Sequence, residues 1–257
     1  MSRYAIVSTV FLVILLGSLS LDGVFNISLY WYIGLLLVYL SMNVYGAVVL
    51  SAQYFLRTRC SGSQSVSSIA ITFDDGPVPG MTEKILDILK QHEIPAAFFC
   101  IGHRIKENPK LLRRLHDEGH LIGNHSYSHK NTFDFLSATG VVKELAETNT
   151  IIHECVGVTP RFFRPPYGVT NPMIAKAVAR LNLTVVGWSI RSFDTISKDK
   201  KKLFNRVTQS LRGGDVILFH DYCDVTISIL PDVIAHASKL GLKIVRVDTL
   251  LNEKAYG

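Results

Sequence analysis

Two adjacent carboxylates stand in Thr72-Phe73-Asp74-Asp75-Gly76-Pro77, after an apolar run and before a Gly-Pro turn. The preceding Ser68-Ile69-Ala70-Ile71-Thr72-Phe73 is short and rich in β-branched residues, so it reads as a buried strand carrying the acids at its C-terminal end. Chemistry in α/β proteins collects at such ends. A lone Asp-Asp-Gly would mean no more than a solvated turn. Its meaning changes with Gly123-Asn124-His125-Ser126-Tyr127-Ser128-His129, two histidines four apart after another short apolar run. Residues i and i+4 share one face of a helical turn, so the two imidazoles are expected to converge on one ion. Two imidazoles and a carboxylate leave coordination positions open, as in catalytic zinc sites and equally in non-haem iron oxygenases, and ligand type does not choose between them. The second acid favours hydrolysis, because it can take the proton of an attacking water.

Two further stretches share the same plan, Arg161-Phe162-Phe163-Arg164-Pro165-Pro166-Tyr167-Gly168 and Val216-Ile217-Leu218-Phe219-His220-Asp221. TFDDGP, HSYSH, RPPYG and LFH, in this order and at these separations, resemble the polysaccharide deacetylases with a NodB-type catalytic domain, carbohydrate esterase family 4. The resemblance spans about residues 66–250. It implies an α/β fold, a distorted (β/α)7 barrel of parallel strands, and one divalent metal ion, usually zinc. Carried over by motif, Asp74 matches the general base and Asp75, His125 and His129 the metal ligands. Arg164 matches the residue that orients and tunes the base, and Tyr167 the one whose backbone N–H helps bind the oxyanion. His220 matches the general acid, Asp194 the acid paired with it, and Leu218 the apolar wall for the acetyl methyl. One motif departs. In Trp188-Ser189-Ile190-Arg191-Ser192-Phe193-Asp194-Thr195, Thr195 replaces a Trp that shapes the substrate groove in many relatives, and Arg191 stands where they carry an Asp.

The elements that must position these residues alternate. Helical spacing is read at 81–92, 108–119, 141–156, from Asn171-Pro172, at 200–211 and at 227–240, with buried strands at 96–101, 120–123, 183–188, 215–219 and 243–247. About seven strands alternating with helices argue for a parallel sheet, doubly wound or closed into a barrel.

The N-terminus is a different material. Residues 4–21 and 23–56 carry no charge except Asp22 between them, and spans at about 4–21 and 28–52 are expected to form a transmembrane hairpin. A signal peptide is the rival reading of the first run. Residues 1–59 are thus assigned to the hairpin, 60–68 to a Ser/Gly-rich linker and 69–257 to the catalytic domain. Arg3, Arg57 and Arg59 flank the hairpin ends and only Asp22 lies in its turn, so the positive-inside rule places a multi-pass membrane protein with its catalytic domain facing the cytoplasm. A net charge of +6 with a single basic run, Lys198-Asp199-Lys200-Lys201-Lys202, does not call for nucleic acid; acidic lipid is the alternative partner. Cys60, Cys100, Cys155 and Cys223 lack paired spacing and are expected to be free thiols. The expected activity is N-deacetylation of an N-acetylglucosamine-type sugar in a polysaccharide, envelope glycan or lipid-linked glycan. The alternatives are an O-acetyl esterase, a deformylase, or a non-catalytic glycan-binding module.

Overall fold

The computed structural model describes residues 2–257. Strands β1 (Thr58–Arg59), β2 (Ser68–Asp74), β3 (Ala97–Cys100), β4 (Leu121–Asn124), β5 (Phe162–Phe163), β6 (Thr184–Val186), β7 (Ile190–Arg191), β8 (Val216–His220) and β9 (Lys243–Ile244) form one sheet. Its order is β1-β6-β5-β4-β3-β2-β8-β7, with β9 also pairing β2. Every ladder between these strands is parallel. β1 and β7 do not pair, so the sheet curls into a half-barrel and does not close.

Side-chain alternation divides the sheet into two faces. Ile69, Ile71 and Phe73 of β2 join Phe98, Ile217 and Phe219 in the larger core, packed beneath α3 (Thr82–Gln91), α8 (Lys200–Thr208) and α9 (Asp224–Lys239). Phe73 stacks on Phe98 at 4.9 Å and on Phe219 at 6.0 Å. Ala70, Ala97, Phe99, Leu121 and Val216 face the inside of the curl, which Val247 and Leu250 of α10 (Val247–Leu251) fill. Full burial of each large side chain contributes about 1.5–3 kcal/mol.

Four of the strands, β1, β5, β7 and β9, are only two residues long, too short to show a periodicity of their own in the sequence. Residues 61–68, whose composition reads as a loose linker, are held down instead. Gly62 N–H donates to Gly214 O (2.8 Å), Ser61 bridges to Asp215, and a Cβ on Gly213 would lie 1.8 Å from Val66 O. Composition reports side chains, whereas this docking is made by backbone groups. The sheet accordingly begins at Thr58, inside the stretch expected to belong to the hairpin.

Helices α1 (Arg3–Phe25) and α2 (Leu29–Val48) are long and apolar enough to cross a membrane. Trp31 Nε1–H donates to Ser18 Oγ (2.9 Å), and Ser8 Oγ lies 3.0 Å from Tyr39 OH, two polar pairs that join the helices. The second span, expected to reach residue 52, stops at Val48. A 3-10 turn, Leu50–Ala52, folds the chain back there and buries Leu50, Tyr54 and Phe55.

Gly123, inside β4, is where core and rim meet. A Cβ there would lie 2.5 Å from the Phe99 ring. Overpacking of this kind costs about 1–3 kcal/mol, so Gly123→Ala should lower the denaturant midpoint accordingly; an unchanged midpoint would mean that the Phe99 ring is free to move aside.

Candidate active site

The parallel registers bring the motif residues to one rim. Asp74 is level with His220 and with Phe99, Cys100 with Asn124, Asn124 with Phe163, and Arg191 with Leu218. Asp75, His125, Arg164 and Asp221, each the first residue past its strand, therefore emerge at the same edge. Thr72 and Asp74 point inward beside Leu218 and His220, opposite the Phe73 face. Asp75 would point away had the strand continued. Its left-handed backbone, φ 74°, turns it to the same side.

The expected ligands converge. Asp75 Oδ1 lies 3.3 Å from His125 Nε2 and 3.2 Å from His129 Nε2, and the three ligand atoms fall within 4.8 Å of one another. The convergence does not come from a helical turn. Ser126 and His129 adopt φ of 63° and 47°, and the loop is pinned by Glu144 of α6 (Ala138–Val156), whose carboxylate accepts from Tyr127 N–H (3.0 Å), Ser128 N–H (2.8 Å) and Ser128 Oγ.

These residues fit a divalent cation. Asp75 Oδ1 is buried without a hydrogen-bond partner among the described residues. Burial would raise the Asp75 carboxyl, but the neighbouring imidazoles of His125, His129 and His220 hold it well below the usual range. His125 Nδ1 must donate to Arg164 O (2.7 Å), since a carbonyl only accepts, so Nε2 is the nitrogen turned to Asp75. Burial, then the charge of His125, pushes His129 down to about 4, which keeps its lone pair free.

Arg164, fully buried, anchors the other acid. Its Nη1 donates to Asp74 Oδ1 (2.7 Å) and Thr72 Oγ1 (2.8 Å), Nη2 to Gly187 O (2.8 Å) and Nε to Val186 O (3.1 Å). Asp74 Oδ2 is left facing His125 Nε2 at 3.9 Å. His220 Nδ1 pairs with Asp194 Oδ1 at 2.8 Å, while Asp194 Oδ2 accepts from His220 N–H (2.7 Å) and Thr226 Oγ1 (2.6 Å). Burial works against charge on His220, but the Asp194 hydrogen bond and carboxylate raise its pKa.

Asp74, Asp75, His125, His129, Tyr167, Thr195, Leu218 and His220 line one cleft, with Arg164 and Asp194 reached through Asp74 and His220. Tyr167 has φ 58°, and Gly168 and Val169 make the turn's hydrogen bonds (3.1 and 3.2 Å), so the Tyr167 N–H stays outside them. Its ring lies 4.8 Å from the His129 ring, and its hydroxyl donates to Asn131 Oδ1 (2.6 Å), contacts that the motif did not announce. Gly168, Trp188, Arg191 and Tyr222 complete the lining. Of these, Trp188 and Tyr222 carry no spacing signal, and Arg191 was visible only as a departure.

The comparisons agree with this geometry. A family profile described as Polysaccharide deacetylase matches residues 61–186. The chain is 32% identical over 197 residues to the peptidoglycan-N-acetylmuramic acid deacetylase PdaA of Bacillus subtilis, covering 75% of this chain and 74% of that protein. It is 36% identical over 160 residues to a peptidoglycan-N-acetylglucosamine deacetylase of Bacillus cereus, covering 62% of this chain and 58% of that protein, less than two thirds of the relative's length. The crystal structure of the Bc1960 peptidoglycan N-acetylglucosamine deacetylase superposes with a TM-score of 0.74 at 30% identity, over 77% of this chain and 94% of that one. With a relative above 30% identity aligned along most of its length, a matching profile and the same curled half-barrel, this chain belongs to the polysaccharide deacetylase family, carbohydrate esterase family 4.

Proposed function

We propose that the chain is a membrane-anchored, metal-dependent hydrolase that removes N-acetyl groups from an N-acetylglucosamine-type sugar of a polysaccharide, envelope glycan or lipid-linked glycan. One observation carries the reading: an Arg-bound carboxylate, a His-His-Asp ligand set and an Asp-bound histidine share one cleft. A glycan-binding module would have no use for all three.

A divalent ion held by Asp75, His125 and His129, most simply zinc, would supply Lewis acidity to the acetyl carbonyl and acidify water. The chain's own groups account for the rest. Arg164 occupies Asp74 Oδ1, so Oδ2, on the side of the histidines, is the oxygen that accepts the proton of the attacking water. The unused Tyr167 N–H is the donor for the developing oxyanion. Because Nδ1 of His220 is committed to Asp194, Nε2 delivers the proton to the leaving amine as the C–N bond breaks, giving acetate and the free amino sugar. Leu218 supplies the apolar wall for the methyl group, and Thr195 leaves that side of the cleft wide. Acetylated chitooligosaccharides and acetylated xylan supplied side by side test the reading: acetate is expected from the former together with new amines, and release from xylan alone would make the chain an O-esterase.

The paired acids separate in mutants. Asp75→Asn should lose metal, since a neutral amide is a poor third ligand. Asp74→Asn should retain metal and lose about 10²–10⁴-fold in rate. Metal content measured beside turnover checks both, and the opposite pattern would exchange the two roles.

The acid has a pH signature. A general acid works protonated, so activity falls as pH rises through its pKa. Asp194 raises that pKa at His220, and Asp194→Asn should therefore move the alkaline limb of the rate profile to lower pH. A limb that stays in place would assign it to another group.

Anchoring follows from α1 and α2, which as a hairpin bring both termini to one side; the flanking arginines favour the cytoplasm. The full chain should resist alkaline carbonate extraction, and a reporter fused after Gly257 that is active only outside the cytoplasm should stay silent. A signal from that reporter would reverse the orientation.

A further inference from the structure

We infer that Arg191 is an anion-binding element of the substrate cleft, recognising a carboxylate or phosphate borne by the acetamido sugar or by the unit joined to it. The inference rests on the deacetylase reading above and adds a charge requirement to its substrate.

Four features carry it. First is position. Arg191 ends β7 in register with Leu218, and because Ile190 packs into the outer core, Arg191 turns to the cleft, whose wall it shares with Asp75, Leu218 and His220. Second, its guanidinium forms neither a salt bridge nor a hydrogen bond among the described residues. Arg59, Arg114, Arg164 and Arg246 all have acidic partners.

Third, it is held. The guanidinium lies over the Trp188 ring at 5.4 Å and the Phe193 ring at 4.9 Å, while Arg206 covers Phe193 at 4.8 Å. Stacking on ring faces fixes the plane of a guanidinium and leaves its N–H fork free, which is the preorganised form in which arginine takes carboxylate or phosphate. Phe193 reaches this place through a left-handed backbone, φ 59°, a conformation costly for a bulky residue. A solvated surface arginine needs no such support.

Fourth, the carboxylates around it are engaged elsewhere. In the cleft, Asp74 is paired with Arg164 and Asp75 faces His125 and His129; beyond it, Asp194 is taken by His220 and Thr226, Asp199 accepts from Lys202 N–H, and Asp215 accepts from Ser189 and Arg212. An anion from outside completes the arrangement, and a neutral sugar would use none of it.

The test uses the metal-loaded full chain in detergent with three substrates. These are neutral acetylated chitooligosaccharides, glycan strands whose N-acetylmuramic acid units carry lactyl carboxylates, and N-acetylglucosamine linked through a diphosphate to a polyprenol. The wild type should prefer one of the two anionic substrates in kcat/KM, with the preference shrinking as salt rises. Arg191→Gln should reduce the anionic-to-neutral preference about 10- to 100-fold through KM, the range expected for a hydrogen bond to a charged group. Arg191→Lys, which keeps the charge and loses the fork, should fall between them. Which anionic substrate responds identifies the carboxylate or the phosphate. A wild type that favours the neutral oligosaccharide, or a preference that Arg191→Gln leaves unchanged, overturns the inference while the deacetylase reading stands. If the wild type releases acetate from none of the three, that reading falls, and the inference with it.

Discussion

The buried ion pair between Arg164 and Asp74 is the constraint on which the rest of the rim depends. A guanidinium and a carboxylate out of water cost several kcal/mol each and are tolerated only where geometry and further hydrogen bonds compensate. Here they do. Arg164 donates to Asp74, Thr72, Val186 and Gly187 and stacks on Phe99 at 4.0 Å, tying β2 to the end of β6 across the inside of the curl. Its backbone adds two ties, the N–H to Asn124 O (3.0 Å) and the carbonyl to His125 Nδ1. One residue thus sets the oxygen of Asp74 that remains free and the nitrogen of His125 that faces Asp75. Removing the side chain would strand Asp74 as an unpaired buried charge, a loss of about 3–5 kcal/mol.

Around that pair the backbone is strained where chemistry is expected and relaxed elsewhere. Of ten non-glycine residues with positive φ among the described residues, Asn26, Gln53, Glu93, Asn182 and Asn252 lie at helix ends, where such geometry is ordinary. The other five, Asp75, Ser126, His129, Tyr167 and Phe193, all lie at the strand ends around the cleft. Each costs on the order of 1–3 kcal/mol and persists only when its surroundings over-determine it. Glu144 does this for the histidine loop, together with Asn124, whose Oδ1 accepts from Ser126 N–H at 2.9 Å. For Phe193 it is the two arginines stacked on its faces.

The strand ends were legible because a period-2 apolar run followed by acids, histidines or a Gly-Pro turn breaks pattern at one place. β2, β3, β4 and β8 were each located within a residue or two. β5 and β7 are too short to have a period, so Arg164 was found through its motif and Arg191 through a mismatch. The convergence of His125 and His129 was expected on a helical turn. It is achieved by a loop whose support, Glu144, lies fifteen residues beyond His129 on another element, and no local pattern encodes a contact at that range. Residues 61–68 read as a linker for the same reason: composition does not reveal their contacts, which are with backbone groups of Gly214 and Asp215 far along the chain.

The docked hairpin shows how far the constraint at Arg164 extends. Arg3 Nη1 donates to Ala52 O (2.7 Å), Tyr4 N–H to Tyr54 O (2.9 Å), and Thr170 N–H to Ala47 O (3.0 Å), three residues beyond Tyr167. Leu50 O accepts from buried Thr58 Oγ1, and Leu50 packs against Gly187, where a Cβ would meet Leu50 Cδ1 at 3.1 Å and Cys60 Sγ at 2.7 Å. Gly187 in turn gives its carbonyl to Arg164. The foot of the helical pair, the Pro-Pro-Tyr turn and the Asp74 carboxylate are thus consecutive in one packed series, with a glycine at the point where the two parts press closest. The two apolar helices are therefore packed directly against the turn and the strand end that carry the cleft, with no free linker between them.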